Sequence, residues 1–98
     1  MAPSIYKMWQ GRFTEAWYQL SEQEQQRLLQ LVSDGREAAG GKEVLTCVAD
    51  WSNEQWPVFG VEEFPDIAAV QRFQQSLREI DWARYIESRT ILGTPYIP

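Results

Sequence analysis

The chain contains no histidine, and this absence removes more chemistry than any other feature of its composition. It excludes histidine-ligated zinc, histidine-ligated haem, and Ser-His-Asp or Cys-His catalysis. The single cysteine, Cys47, cannot form an internal disulfide bond. No paired metal-ligand spacing occurs, and the glycines before Lys42 lack the spacing of a P-loop. We therefore expect no metal and no cofactor, which leaves cofactor-independent chemistry as the enzyme class to consider.

Positive charge is also scarce. Nine basic residues oppose fourteen acidic ones, the net charge is −5, and only Lys7 and Lys42 are lysines. Nucleic-acid binding needs clustered Lys and Arg, so we expect no nucleic-acid partner. No apolar run approaches the roughly 18 residues of a membrane span. The N-terminal Met-Ala-Pro-Ser lacks the basic and apolar regions of a signal peptide, so the sequence predicts no membrane partner and a cytoplasmic location.

Length and composition predict one small globular domain that spans residues 1–98. Five tryptophans, four tyrosines and four phenylalanines are many aromatic residues for so short a chain. Such residues line a core, a ligand pocket or a subunit interface, and the composition alone leaves all three open.

The first half of the chain predicts a strand, a helix and a second strand. Ile5–Phe13 is rich in strand-forming residues and apolar on both faces, which is typical of a central strand. A capping box that begins at Ser21 predicts a helix, which Gly40 and Gly41 end. Glu43–Trp51 follows as a strand whose apolar run indicates burial.

The second half predicts a strand, a helix and a final strand. Trp56–Phe64 forms a hairpin with the preceding strand, and Asp66 is a favoured N-cap for the helix that follows. The apolar stripe of that helix consists of Ile67, Val70, Phe73, Leu77 and Ile80. Trp82 falls outside the stripe, so it lies beyond the regular helix or faces a partner. Tyr85–Leu92 is the fourth strand.

The elements in order are β-α-β-β-α-β, the ferredoxin-like arrangement of an α+β domain. Right-handed crossovers predict an antiparallel sheet in the spatial order 4-1-3-2, with both helices on one face. If the other face met water it should be polar, yet the first three strands carry apolar residues on both faces. A second copy of the chain covering that face is the economical explanation, so we predict a homodimer.

Two segments resemble a known superfamily. DWARYIESRTILGTP (Asp81 to Pro95) and, more weakly, YKMWQGRFTEAWYQL (Tyr6 to Leu20) resemble small proteins of the dimeric α/β-barrel superfamily, most of all its uncharacterised members. The resemblance implies a homodimer whose two sheets close into a barrel. The superfamily includes quinone-forming monooxygenases, muconolactone isomerases, haem-degrading enzymes and haem-dependent chlorite-splitting enzymes. Members that rely on a histidine are poor templates for this chain.

Two carboxylates interrupt the apolar third strand. Because Glu62 and Glu63 alternate across the strand, one of them points inward, where burial favours a protonated carboxyl group that can act as a general base or acid. The alternative is a structural ion pair with Arg12 or Arg89 on neighbouring strands.

The strand parities of Tyr6, Arg12, Glu62 and Arg89 predict a polar cluster on one sheet face. As a catalytic site, Glu62 would move a proton while Arg89, with Tyr6 beside it, binds an anionic or enolate oxygen. As a structural feature, the cluster would be a buried network at the dimer barrel.

Tryptophans are the candidate ligand-binding residues. Trp9, Trp51 and Trp82, with Arg12, would bind a flat apolar or aromatic compound. The alternative is that the tryptophans anchor the core and the subunit interface.

Two functions fit the sequence. The chain is a homodimer that binds an apolar or aromatic small molecule, with cofactor-independent proton transfer or oxygenation. Alternatively, it is a non-enzymatic structural or interaction module whose polar cluster stabilises the dimer. The discriminating feature is a cavity that holds Glu62 or Arg89 beside tryptophans.

Overall fold

The computed structural model describes residues 3–98, so Met1 and Ala2, on which the predicted location partly rests, lie outside the described residues. In chain order the elements are β1 (Ile5–Phe13), α1 (Glu15–Tyr18), α2 (Glu22–Ala38), β2 (Lys42–Val48), β3 (Val58–Phe64), α3 (Ile67–Glu79), a 3-10 helix (Trp82–Arg84) and β4 (Ile86–Gly93). The predicted α+β class is confirmed. None of the helices within residues 3–98 is long and apolar enough to cross a membrane.

The four strands form one antiparallel sheet. Its order is β2-β3-β1-β4, which is the predicted 4-1-3-2 counted from the opposite edge. This arrangement is consistent with a ferredoxin-like fold. The strand β1 is central, as its two apolar faces predicted, while β2 and β4 are the edges of the sheet within the described chain.

Side-chain caps begin the two long helices. The Ser21 hydroxyl accepts a hydrogen bond from the Glu24 backbone N–H at 3.1 Å, which is one of the two hydrogen bonds of the predicted capping box. The Glu24 carboxylate binds Arg27, one turn further along α2, at 3.2 Å. At the start of α3, an Asp66 carboxylate oxygen accepts from the Ala69 N–H at 2.8 Å. Each cap satisfies a backbone donor that the first turn leaves free.

The loop that joins β2 to β3 is longer than predicted, because β2 ends earlier and β3 begins later than the sequence indicates. The Ala49 carbonyl accepts hydrogen bonds from the N–H groups of Ser52 and Asn53, which turns the chain, so β2 ends at Val48 and not at Trp51. The side chains of β2 are mostly exposed, so the expectation of a buried run is wrong. An edge strand meets only one neighbour, and the pairing of β2 with β3 is interrupted by a bulge at Val44.

A short helix, α1, occupies the predicted connector between β1 and α2. It buries Trp17, whose indole stacks on Phe13 with ring centroids 4.5 Å apart and meets Trp82 edge-on at 5.7 Å. Trp82 opens the 3-10 helix after α3, so its predicted position beyond the regular helix is confirmed. These rings pack the end of β1 against α1 and the 3-10 helix.

The helices α2 and α3 pack on the same face of the sheet, as predicted. The core there consists of Ala39, Phe64, Ala69, Phe73 and Leu77. Phe64 and Phe73 are its largest fully buried side chains, with ring centroids 5.6 Å apart. A Cβ on Gly41 would collide with the Phe64 ring, so the glycine lets the chain pass close to this ring as it leaves α2.

The opposite face, called here the open face, is not covered by any helix within residues 3–98. It carries Tyr6, Met8, Leu45, Cys47, Phe59, Val61 and Ile91, as the strand registers show. Met8, Leu45 and Ile91 are 41%, 43% and 62% exposed. The prediction that both faces of the sheet carry apolar groups is therefore confirmed.

Candidate functional site

A cleft lies between the sheet and the two long helices, with a volume of about 560 Å³. All four strands, α2, α3 and the segment around the 3-10 helix contribute to its walls. The aromatic residues of the lining are Trp9, Phe13, Phe73 and Trp82. The charged residues are Lys7, Arg36, Glu43, Glu62, Arg78 and Asp81. The cleft therefore combines aromatic surface with charged groups.

A buried ionic cluster lies on the floor of the cleft. One Glu62 carboxylate oxygen accepts a hydrogen bond from an Arg36 guanidinium nitrogen at 2.8 Å, and the other lies 3.6 Å from the Lys7 Nζ. The exposed fractions of the Glu62, Lys7 and Arg36 side chains are 5%, 10% and 15%. Two cations therefore hold one carboxylate where little water reaches it.

Strand register and helix length bring the three charges of this cluster together. Lys7 of β1 is directly opposite Glu62 of β3 in the antiparallel ladder, so both side chains point to the helix-covered face. Arg36 lies in the last turn of α2, which ends above β3. Glu43 of β2 flanks Glu62 on the other side, and its carboxylate accepts a hydrogen bond from Thr46.

Trp9 forms an aromatic part of the floor next to this cluster. It lies directly opposite Gly60 on β3, and a Cβ on that glycine would come within 2.8 Å of the Trp9 indole nitrogen. The glycine thus lets the indole ring lie against the β3 backbone. Phe13 follows on the same face of β1 and continues the aromatic surface toward Trp82.

The turn after α3 forms the rim on the side of β4. Asp81 has a left-handed backbone, with φ of 54°, and this conformation ends the helix and directs the chain into the 3-10 helix. Because of this turn, Trp82 packs against Phe13 and Trp17. Asp81 and Trp82 both line the cleft.

The predicted grouping of Glu62 with Tyr6, Arg12 and Arg89 is wrong. Tyr6 is directly opposite Glu63, and Arg89 is opposite Gln10, so both point to the open face. Glu62 points to the helix-covered face. The catalytic roles predicted for Glu62, Arg89 and Tyr6 therefore cannot belong to one site within a single chain.

The ion-pair partners predicted for Glu62 are also wrong. Arg12 lies on the open face, where it binds Glu87 of β4, directly opposite it. Arg89 lies on the same face and does not reach Glu62. The partners of Glu62 are Lys7 and Arg36 instead.

Two of the three candidate tryptophans line the cleft. Trp9 and Trp82 line the cleft together with Glu62, whereas Trp51 is 85% exposed in the turn after β2 and lies outside it. Trp51 does not share the cleft with Trp9 and Trp82, because β2 ends at Val48, before the chain reaches that residue. Arg12, also predicted to bind ligand, lies on the opposite face of the sheet.

Glu63 is one of the polar residues of the open face and lies opposite Tyr6, near the start of β1. A hydrogen bond from Ser4 is the main cause that lowers the pKa of this carboxyl group, and Lys42, at 3.5 Å, lowers it further. Glu63 thus differs from its neighbour Glu62 in both face and partners.

Sequence reasoning missed several residues of the cleft: Lys7, Arg36, Arg78, Asp81, Ser88 and Thr90. Lys7 carried a usable signal, because a lysine in the middle of an apolar central strand needs a buried partner. Arg36 carried none, since arginine in the last turn of a helix is common for reasons of helix polarity. Residues 3–98 contain no group of three or more acidic or cysteine side chains that could hold a metal ion.

Comparison with known proteins supports the fold and goes no further. No protein-family model and no curated protein match the chain. Four chains of solved structures match it. One of them, described as the crystal structure of methylated RPA0582 protein, is 15% identical, with a TM-score of 0.61, and the match covers 100% of this chain and 84% of that chain. At this identity the likeness shows a shared small α+β fold alone.

Proposed function

We propose that this chain binds an uncharged apolar or aromatic small molecule in the cleft and moves a proton on it without a cofactor. The observation that carries the proposal is the juxtaposition of Trp9, Trp82 and Glu62 in one cavity of about 560 Å³. Small-molecule sites typically have volumes of about 300–1,000 Å³, apolar walls and a few converging polar groups. The cleft has a volume in this range, an aromatic wall and a group of polar side chains on its floor.

The charges of the lining support an uncharged ligand. The basic residues Lys7, Arg36 and Arg78 are balanced by three acidic residues, so the lining carries no net charge. A strongly anionic or cationic compound would gain no net attraction there and would lose its hydration. An apolar body with one or two oxygen atoms fits these charges better.

The cluster on the floor supports the choice of a carbonyl or hydroxyl group on the ligand. Lys7 and Arg36 supply hydrogen-bond donors for an oxygen atom, and the Glu62 carboxylate beside them accepts or returns a proton. Trp9 gives the ligand body a flat surface next to these groups. Binding and proton transfer then involve neighbouring side chains of one cavity.

Binding of 2-tetralone, an uncharged aromatic ketone with exchangeable protons beside its carbonyl group, tests the proposal. We expect saturable binding by tryptophan fluorescence, and Trp9→Ala should weaken it about tenfold through lost aromatic contact. The same replacement at the exposed Trp51 should leave the affinity unchanged. Proton NMR in D₂O should show faster exchange of the ketone's protons with the protein than without it.

The matched variants decide the outcome of this test. Glu62→Gln should slow the exchange by about 100-fold, in the range found for a lost general base. Circular dichroism shows whether each variant is folded. Equal affinities in Trp9→Ala and Trp51→Ala would exclude the cleft as the binding site, and unchanged exchange in folded Glu62→Gln would exclude the role of that carboxylate.

We also propose that two copies of the chain associate through their open faces and close into the barrel of the superfamily that the sequence resembles. Met8, Val61 and Ile91 are neighbours on three adjacent strands and form a continuous apolar surface. Such surfaces on small domains are usually covered by a partner. In this dimer Arg12 and Arg89 would stabilise the interface. That is a structural role, and it is the alternative to the catalytic role that the sequence suggested for the polar cluster.

Light scattering of the wild type at micromolar concentration should give the mass of a dimer. Val61→Arg should convert it to a monomer, because the charge would be buried at the centre of the interface. Val48→Arg is the matched control, since Val48 is 69% exposed and belongs to the other face at the sheet edge. A monomeric wild type would contradict the proposal.

A further inference from the structure

Lys7 is an unusual residue for a central strand. The chain has two lysines, and the side chain of Lys42 is 72% exposed while that of Lys7 is 10% exposed. Lysine is rarely buried without a strong partner, because its charged amine is costly to remove from water. Lys7 nevertheless lines the cleft, with its Nζ 4.9 Å from the centre of the Phe73 ring.

The contacts of Glu62 leave the Lys7 amine available to a ligand. Arg36 donates a hydrogen bond of 2.8 Å to one oxygen of Glu62, so it already holds this carboxylate. The Lys7 Nζ is 3.6 Å from the other oxygen, which is longer than a hydrogen bond. The amine is therefore close enough to exchange a proton with Glu62 after a small movement, but the carboxylate does not bind it tightly.

We propose that Lys7 captures an aldehyde or ketone in the cleft as a Schiff base, with Glu62 as the proton acceptor and donor. This inference rests on the proposed function only in using the same cleft. Lysine amines form such imines with carbonyl compounds when they lie in a pocket that excludes water. Arg36 fixes the carboxylate for this purpose.

The step is balanced without any further reagent. Lys7 gives one proton to Glu62, its neutral amine adds to the carbonyl carbon, and Glu62 passes this proton to the carbonyl oxygen, which becomes a hydroxyl group. Glu62 then takes a second proton from the nitrogen and gives it to the hydroxyl group, which leaves as water while the C=N bond of a protonated imine replaces the C=O bond. One water molecule is released, and neither an oxidant nor a reductant is needed.

Reductive trapping with 2-naphthaldehyde and sodium cyanoborohydride tests this inference on the wild-type protein. The reagent converts an imine to a stable secondary amine, and peptide mass spectrometry then locates the adduct. We expect the adduct on Lys7 in about tenfold excess over Lys42, because the cleft holds the aldehyde beside the amine. If exposure alone determined reactivity, Lys42 would carry more adduct than Lys7. An adduct mainly on Lys42 or on the α-amino group would therefore overturn the inference.

Two matched variants and one analogue complete the test. Lys7→Arg keeps the charge beside Glu62 and should lose the adduct, whereas Lys42→Arg should keep it. The analogue 2-naphthalenemethanol has no carbonyl group, and its binding is measured by tryptophan fluorescence. If the alcohol binds but wild-type Lys7 stays unmodified, covalent capture is wrong and the proposed binding function stands. If the alcohol does not bind and Lys7 stays unmodified, the binding function and the capture both fail for this class of compound.

Discussion

Replacing Glu62 with leucine is expected to destabilise the fold by about 3–5 kcal/mol, the cost of leaving a buried charge without its partner. The carboxylate is the shared counter-ion of Lys7 and Arg36, and the three side chains are at most 15% exposed. Leucine would leave both cations facing each other in the same apolar space. Urea unfolding monitored by circular dichroism measures the loss.

A double variant separates unpaired charge from lost contact. Lys7→Met/Glu62→Leu removes more polar atoms than Glu62→Leu but leaves only Arg36, which is close enough to the end of α2 to turn toward water. We expect it to be more stable than the single variant. Glu43→Gln, an exposed carboxylate on the neighbouring strand, should change the stability by less than about 0.5 kcal/mol. A double variant that is less stable than Glu62→Leu would contradict the buried-charge explanation.

The stability effect decides how functional experiments on the cluster must be designed. Because Glu62 and Lys7 stabilise the fold and also line the cleft, a loss of activity in their variants has two explanations. The position of a covalent adduct on the wild-type chain avoids this problem, since it compares two lysines of one folded protein. Lys7→Arg keeps the positive charge beside Glu62, whereas Glu62→Gln keeps the size of the side chain but removes the counter-ion of Lys7 and Arg36, so its activity is compared only after its folding has been checked.

Local sequence rules were sufficient for most of the fold. Ser21 and Asp66 were recognised as N-caps because their side chains satisfy free backbone donors, a rule that depends on a few neighbouring residues. The order of strands and helices then restricted the sheet to one topology through the handedness of crossovers. The short helix α1 was missed because four residues carry too little periodicity to be recognised.

The candidate site depended on strand register, which local rules do not determine. Lys7 pairs with Glu62, whereas the predicted cluster required Tyr6 to share a face with Glu62. A shift of one residue moves every side chain of a strand to the other face. The connection between β1 and β3 contains a helix and another strand, so no tight turn sets their register in the sequence.

The ends of strands were equally hard to predict for a local reason. The apolar run of β2 continues through Ala49 toward Trp51, but the Ala49 carbonyl accepts the turn hydrogen bonds that end the strand. At the far end of α3, the left-handed backbone of Asp81 determines where Trp82 points. The aromatic residues could be counted from the sequence, but which of them share a cavity depends on these turns.

Replacing Phe64 with alanine is expected to destabilise the fold by about 3–5 kcal/mol, the range for a large aromatic side chain in a closed core. Phe64 has no exposed surface and packs on Phe73 beneath both long helices. The cavity left behind cannot collapse easily, because β3 is held by strands on both sides. Tyr96→Ala, at an 89% exposed position, should change the stability by less than about 0.5 kcal/mol in the same urea experiment.

The close approach of Gly41 to this ring provides the decisive second measurement. Gly41→Ala should cost about 1–3 kcal/mol in the wild type, because the added methyl group overlaps the Phe64 ring. In Phe64→Ala the overlap is gone, and the same change should cost nothing or stabilise the fold by about 0.4–1 kcal/mol through a less flexible unfolded chain. Equal effects of Gly41→Ala in the two backgrounds would show that the glycine is required for its backbone and not for space beside Phe64. The coupling between the two sites thus tests the packing that brings the end of α2, with Arg36, over the floor of the cleft.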